Sequence, residues 1–168
     1  MVVNISEYIN VRERAATLGC QIPSEIALLP RNFDTVESAV ELLDEESSST
    51  IRKILQEADL PASRIEKDGT KFPTIHEDAL EFIGPLIFIG AQTLSQNPDI
   101  VKNALSKILD YLGDVFFKGV AGARNARIGF IIEKKSKNDD YTYVKADYDG
   151  ALEGTSAFYG ELERVRKG

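Results

Sequence analysis

Cysteine and histidine are almost absent from this sequence of 168 residues, which contains one of each. The single cysteine, Cys20, excludes an intramolecular disulfide framework and any zinc site that needs several thiolates. The single histidine, His76, excludes metal sites that need two or three imidazoles. We therefore expect no metal, no other cofactor and no small-molecule ligand.

Positive charge is also in deficit, with 20 Lys and Arg residues against 27 Asp and Glu residues and a net charge of −7. A general nucleic-acid binder needs a basic field that releases counterions from phosphates, so this balance argues against nucleic acid as a partner. Residues 1–84 carry a net charge of −8 and residues 85–168 a net charge of +1. Residues 118–137 form a basic patch in which Glu133 is the one acid. This asymmetry suits steering of a partner or orientation of self-association, and an ordinary solvated surface is the commoner alternative.

Long apolar runs are missing as well. The most apolar run, residues 82–91, is half the length of about 20 residues that a bilayer requires, and it contains Pro85. We expect a buried core segment here, with a membrane-touching segment as the alternative. Residues 1–5 lack the basic and apolar regions of a signal peptide. The expectation is a soluble, cytoplasmic protein.

Hydrophobic residues make up 43% of the chain, which is enough to form a core in one domain of ordinary size. We expect a single compact domain over residues 1–168. A subdivision near residue 73 is the alternative, with an acidic helical part before it and a helix–hairpin–helix part over residues 74–168.

Helices are the elements that the front of the chain favours. Ser6 is a suitable N-cap for a helix that ends near Leu18, with Gly19 as its C-terminal stop. Apolar residues at i, i+3, i+4 and i+7 predict a helix over residues 34–43. A serine-rich linker leads into the next helix, which ends before Pro61. These two helices predict a helical hairpin.

Weaker signals lie between these helices and the middle of the chain. Residues 26–29 are a short strand or a buried turn of helix. Asp68-Gly69, between residues 64–67 and 70–72, predicts the turn of a β-hairpin, with an exposed turn alone as the alternative. Residues 74–94 are predicted as a helix that Pro85 kinks or divides.

The rear of the chain gives the clearest predictions. Asn97-Pro98-Asp99 predicts the start of an amphipathic helix over residues 98–117. Its apolar residues repeat at spacings of four and three, which also suits an interface between helices. Residues 126–134 and 141–146 are rich in β-branched and aromatic side chains and predict a hairpin, followed by a helix from about Ala151.

Together these elements predict an α+β fold that is mainly α. The N-terminal part is helical, a long amphipathic helix follows, and a β-hairpin and a closing C-terminal helix end the chain. An isolated hairpin of two strands is marginally stable in water, so this hairpin must pack on a helix, join another sheet or pair with a partner.

The side chains that could act in catalysis or metal binding lack the partner residues that such sites require. His76 has no second histidine four residues later, so we expect a surface or helix-capping histidine. We expect Cys20 to be buried as a small apolar residue. Asp147, Asp149 and Gly150 lack the spacing of a calcium loop and are read as a turn and a helix cap.

Two further motifs fall short of a ligand site. Residues 119–122 are rich in glycine but lack the Gly-Lys-Ser/Thr ending of a phosphate loop. Tyr141, Tyr143 and Tyr148 lie near several lysines and suit base stacking, but the net charge argues against it. No spacing among the 27 acids selects a catalytic pair.

Residues 104–162 run from a helix into arginine-containing strands, with Ala126-Arg127-Ile128 in the first strand, and then into a closing helix. In this order of elements the region resembles small bacterial effector-associated components. The resemblance implies an accessory protein that acts beside an effector.

We therefore expect a non-catalytic protein-interaction or accessory protein that binds a protein partner or its own copies. Contact would come through the hairpin edge or the amphipathic helix. The residues expected to carry it are Phe130, Ile132, Tyr141, Tyr143, Leu105 and Leu112. A membrane-active protein that inserts residues 82–91 is the first alternative, and a carboxylate-dependent enzyme is the second.

Overall fold

A mixed sheet of six strands forms the centre of the computed structural model, which describes residues 2–22, 26–67, 71–75 and 81–167. The strands are β1 (Val2–Glu7), β2 (Ile26–Leu29), β3 (Asp44–Glu45), β4 (Ala62–Arg64), β5 (Thr74–Ile75), β6 (Glu81–Ile89), β7 (Asn125–Lys135) and β8 (Tyr141–Ala151). The order across the sheet is β1-β8-β7-β6-β2-β4, while β3 and β5 pair separately.

Both parallel and antiparallel pairs occur in the sheet. β1 pairs antiparallel with β8, β8 with β7, and β6 with β2. β6 runs parallel to β7, and β2 runs parallel to β4. The hairpin of β7 and β8 is therefore enclosed on both sides, by β6 and by β1.

Separate cores cover the two faces of the sheet. The helices are α1 (Val11–Leu18), α2 (Ser48–Glu57), α3 (Ala91–Gln96), α4 (Ile100–Tyr111) and α5 (Thr155–Lys167). On one face, which we call face A, buried residues of α2, α4 and α5 pack on the sheet. On the opposite face, face B, α1 and the segment over residues 33–42 supply the buried side chains.

The predicted mainly-α class with a helical N-terminal part is wrong. The described chain is 39% helix and 32% strand, and it begins with β1. Apolar and polar residues alternate from Val3 to Ser6, which suits a strand, and this pattern prevails over Ser6 as a helix cap. Helix α1 begins at Val11 with Asn10 as its cap, and Gly19 ends it in the left-handed region, at φ 73°, as predicted.

Among the described residues of the helix predicted over residues 74–94, only the end from Ala91 is helical, as the start of α3. Nine residues from Glu81 to Ile89 form β6, a central strand that is buried on both faces, and continuous apolar runs are typical of such strands. Pro85 lies where the register with β7 shifts, between Ile83 and Leu86, so its missing N–H falls at an irregularity of the ladder.

The helix predicted over residues 34–43 is also absent. Only Ala39–Glu41 forms a short 3₁₀ turn, and Val40 is 81% exposed although the pattern predicted it on the buried face. The guanidinium of Arg14 donates to the backbone carbonyls of Phe33 and Val36. A side chain from α1 thus bonds the backbone carbonyls of this non-helical segment. The predicted helical hairpin is therefore wrong, although its second helix is confirmed as α2.

The rear of the chain agrees best with the sequence. The hairpin is confirmed and is longer than predicted, because β7 and β8 have eleven residues each. The closing helix is confirmed as α5. The helix predicted over 98–117 divides into α4 and a π-helical segment, Leu112–Phe116, and begins at Ile100 rather than at Pro98. The turn predicted at Asp68-Gly69 lies outside the described residues.

Candidate functional site

Two buried carboxylates lie on face B, and both are bonded by arginines. The first is Glu133 of β7, which is 1% exposed. It accepts from Arg12 Nε at 2.7 Å, from Tyr143 Oη at 2.8 Å and from the backbone amide of Ala91 at 2.9 Å. This carboxylate therefore joins α1, β8 and the start of α3.

The hydrogen bonds decide the charge state of Glu133. Burial alone would raise the pKa of this carboxyl, but the donors of Arg12, Ala91 and Tyr143 together lower its pKa below the usual range. Burial and the nearby Glu133 raise the pKa of Tyr143. The pair is consequently a carboxylate that accepts from a neutral phenol, which suits a structural role better than proton transfer.

Asp147 of β8 is the second buried carboxylate. Arg31 Nη1 lies 3.3 Å from both of its oxygens, and Arg127 Nη2 lies 3.1 Å from Oδ2. Arg31 also donates from Nε to the carbonyl of Gly84 at 2.7 Å. Burial lowers the pKa of Arg31, against the effect of Asp147. The cluster attaches the segment after β2 to three strands of the sheet.

Asp44 in β3 is a third buried acid, at 3% exposure. Burial raises its pKa to about 6, although Arg64 acts in the opposite direction. Within the ranges that the structure describes, no group of three His, Cys, Asp or Glu side chains is arranged to hold a metal ion.

Two shallow clefts open on the described surface. The first has a volume of about 370 Å³, and Lys135 and Arg166 contribute to its lining. These cations face Asp139 and Glu163, at 3.2 Å and 2.9 Å. The second, of about 400 Å³, lies beside the start of α1 and includes Asn10, Glu13 and Asp34. Arg14 also lines the second cleft, so each cleft contains side chains of both charges.

The residues predicted to contact a partner are mostly in the core. Five of the six have an exposure of 4% or less, namely Phe130, Ile132, Tyr143, Leu105 and Leu112. Tyr141, at the start of β8, is the exposed one, at 42%. The structure brings Phe130 together with β8 and α5. Leu105 packs on the same face from α4, and Leu112 packs there from the π-helical segment that follows α4. Their contact with a partner stays a prediction.

Other predicted residues are also placed by the structure. Cys20 is buried, as expected. Asp147, Asp149 and Gly150 lie within β8, so the turn and helix cap predicted for them are wrong, because the strand continues to Ala151. His76 lies outside the described residues. The segment over residues 82–91, proposed above for membrane contact, is mostly the buried strand β6.

The edge strand β1 is the feature that sequence reasoning missed. The backbone N–H of Tyr8 donates to the backbone carbonyl of Tyr143 at 2.9 Å, which continues the register of the β1–β8 ladder. Bonded and non-bonded pairs alternate in antiparallel ladders, so Asn4 and Ser6 also point their backbone groups at β8. Backbone N–H and C=O groups of the intervening residues, Val3, Ile5 and Glu7, point away from the sheet.

The open side of β1 carries little that would prevent pairing. Natural edge strands are commonly blocked by proline, lysine or a bulge. β1 contains neither residue, its register with β8 has no shift, and its one charge is Glu7 at the end. Ile5 is 40% exposed. The opposite edge, β4, has only three residues and follows Pro61.

No helix of the described chain combines the length and apolarity that a membrane span needs. Comparison with known proteins adds no relative, because no protein-family model, curated protein or solved structure matches the chain.

Proposed function

We propose that this chain is a non-catalytic protein-interaction module that binds an extended strand of another polypeptide at the open edge of β1. The observation that carries the proposal is the outward row of backbone groups on Val3, Ile5 and Glu7, which β8 leaves unpaired. Strand addition to a sheet edge satisfies such groups and gains affinity from main-chain hydrogen bonds.

The state of the buried acids also favours a binding role. Three residues donate hydrogen bonds to Glu133, and two arginines pair with Asp147. Both carboxylates fasten elements of face B to the sheet, so removing them would loosen the fold rather than stop a reaction. The long apolar stripe of α4 is used in the core and offers no separate docking face.

A short neutral peptide tests the proposal directly. The probe is a fluorescently labelled peptide of alternating threonine and valine, seven residues long, titrated with the protein and followed by anisotropy. We expect saturable binding that weakens about tenfold in Ile5→Lys, because a lysine on an edge strand opposes pairing.

Val40→Lys is the matched control. Val40 is exposed and lies on the segment before β3 rather than on an edge strand. Its replacement by lysine makes the same change in charge and also removes a β-branched apolar side chain. Its peptide affinity should equal that of the unmodified protein. Failure of the peptide to bind, or equal weakening in both variants, would contradict the proposal.

A further inference from the structure

We infer that the strand received at the β1 edge is β1 of a second copy of this chain. The two strands would be antiparallel, with a two-fold axis midway between their Ile5 residues. This inference rests on the proposed function, because it names the partner of the same edge. The two copies would form one continuous sheet, and each edge strand would become an interior strand.

The hydrogen-bond pattern selects one register for such a pair. Only outward-facing residues can bond across the new interface, and within the described strand β1 these are Val3, Ile5 and Glu7. When Ile5 lies opposite Ile5 of the second copy, Val3 lies opposite Glu7 at both ends. All three outward residues of each copy are then used, whereas a shift by two residues leaves one of them unpaired on each copy.

The side chains suit this register. Val3 packs on the face A core, and Ile5 lies opposite the buried Ala146 of that face, so both apolar residues share one side of the strand. Pairing places the two exposed Ile5 side chains beside each other. Each Glu7 lies opposite an apolar Val3. The two Glu7 residues are about 14 Å apart along the strand, which exceeds the screening length at physiological salt.

The opposite edge explains why association would stop at two copies. β4 has three residues, runs parallel to β2 and follows Pro61, which cannot donate a backbone hydrogen bond. An isologous pair through β1 therefore closes on itself. A chain with two open edges would instead extend into a fibre.

Removal of one backbone donor tests the pairing without a change of side chain. Residues 1–19 can be synthesised with an N-methyl group on Ile5 and joined to residues 20–168 by native ligation at Cys20. The methyl group lies on the open side and leaves the β1–β8 bonds intact. Because the two-fold axis doubles the loss to two hydrogen bonds, we expect dimer affinity to fall about 30-fold relative to the unmethylated ligation product.

Cysteine cross-linking reports the register. Ile5→Cys should form a disulfide-linked dimer of twice the chain mass of 18.6 kDa under mild oxidation, because bonded pairs place Cα atoms about 5.5 Å apart. Ser6→Cys is the control. Ser6 is exposed on the same strand, but in this register its two copies lie about 8 Å apart, beyond the reach of a disulfide.

Light scattering over a range of concentrations decides between the outcomes. A dimer that weakens on N-methylation and cross-links at residue 5 but not at residue 6 supports the inference. A monomer at all concentrations, or a dimer unaffected by N-methylation, overturns it. In either of these cases, binding of the threonine–valine peptide would show that the edge still receives strands, whereas failure of that peptide would overturn the proposed function as well.

Discussion

Glu133 lies in an apolar strand and accepts four hydrogen bonds from three residues, so its neighbours stabilise its charge. We expect Glu133→Gln to lower the free energy of unfolding by about 1–3 kcal/mol at pH 7, because a charged acceptor is lost from a buried network. The lowered pKa means that the stabilisation is present above pH 4.5 and disappears as the pH falls below that value. Urea denaturation at pH 7 and pH 3.5 measures both.

Glu57→Gln is the matched control, since Glu57 is exposed at the end of α2. Its free energy of unfolding should stay within about 0.5 kcal/mol of the unmodified protein at both pH values. A Glu133→Gln protein that behaves like Glu57→Gln would show that the carboxylate does not fasten α1 to the sheet.

Asp44 has the opposite pH dependence. Its raised pKa, about 6, means that the folded state prefers the neutral acid, so stability is lost as the pH rises from about 4 to 6. We expect Asp44→Asn to raise the free energy of unfolding at pH 8 by about 1–3 kcal/mol and to be nearly neutral at pH 4. Thermal melts at the two pH values measure this. Equal effects at pH 8 and pH 4 would contradict the assigned cause.

The buried ion pairs could be anticipated only in part from the sequence. A glutamate directly after Ile131-Ile132 in an apolar strand signals a buried acid that needs a partner, but nothing local identifies that partner as Arg12. Asp147 gave less warning, because Asp149 and Gly150 beside it are typical of a turn. Which residues meet across face B depends on the order of strands in the sheet, and no short segment of sequence predicts that order.

At the scale of elements, two glycines differ in the space available for an added Cβ atom. A Cβ on Gly129 of β7 would lie 2.8 Å from Leu86 Cδ2 and 2.9 Å from Asp147 Oδ1. We expect Gly129→Ala to cost about 1–3 kcal/mol of stability, since Asp147 is held by two arginines and cannot yield freely. Urea denaturation at pH 7 measures the loss.

Gly160→Ala provides the comparison. Gly160 lies in α5, and a Cβ there meets no atom within 4 Å. Alanine is about 1 kcal/mol more favourable than glycine inside a helix, so this variant should be more stable than the unmodified protein by up to that amount. Stabilisation by both alanines would contradict the crowding at Gly129.

The strands that the sequence missed are those whose partners are distant. β7 and β8 adjoin each other, so their alternation and the intervening turn are a local signal that predicted them correctly. β1 pairs with β8 near the other end of the described chain, and β6 lies between β2 and β7. Their short apolar segments are compatible with helix or strand, and sheet pairing decides between the two.

At the scale of the whole molecule, association should appear in thermal stability. Binding between folded copies makes the melting temperature depend on concentration. We expect the melting temperature to rise between 1 and 100 μM chain, by roughly 2–5 °C, and to rise by less for the Ile5 N-methyl protein, whose dimer is weaker. Differential scanning fluorimetry measures it. A constant value for the unmodified protein would contradict self-association.

Salt distinguishes a dimer that forms through the edge of β1 from a dimer that forms through an ion pair. Each copy carries a net charge of −7, so two copies repel and added salt screens the repulsion. We expect dimer affinity to rise between 20 and 300 mM NaCl, measured by sedimentation velocity. A dimer that weakens with salt would place an ion pair, rather than the edge of β1, at the interface.

The pairing of β1 with β8 can form only after both strands have been synthesised. On the ribosome, Arg12 and β1 emerge more than a hundred residues ahead of Glu133 and β8, which at ordinary elongation rates is a delay of roughly 5–25 seconds. Throughout that delay the nascent β1 has two open sides instead of one. A message truncated within β7 would therefore release a polypeptide with nothing to cover its first strand, which makes such fragments clients for chaperones and proteases.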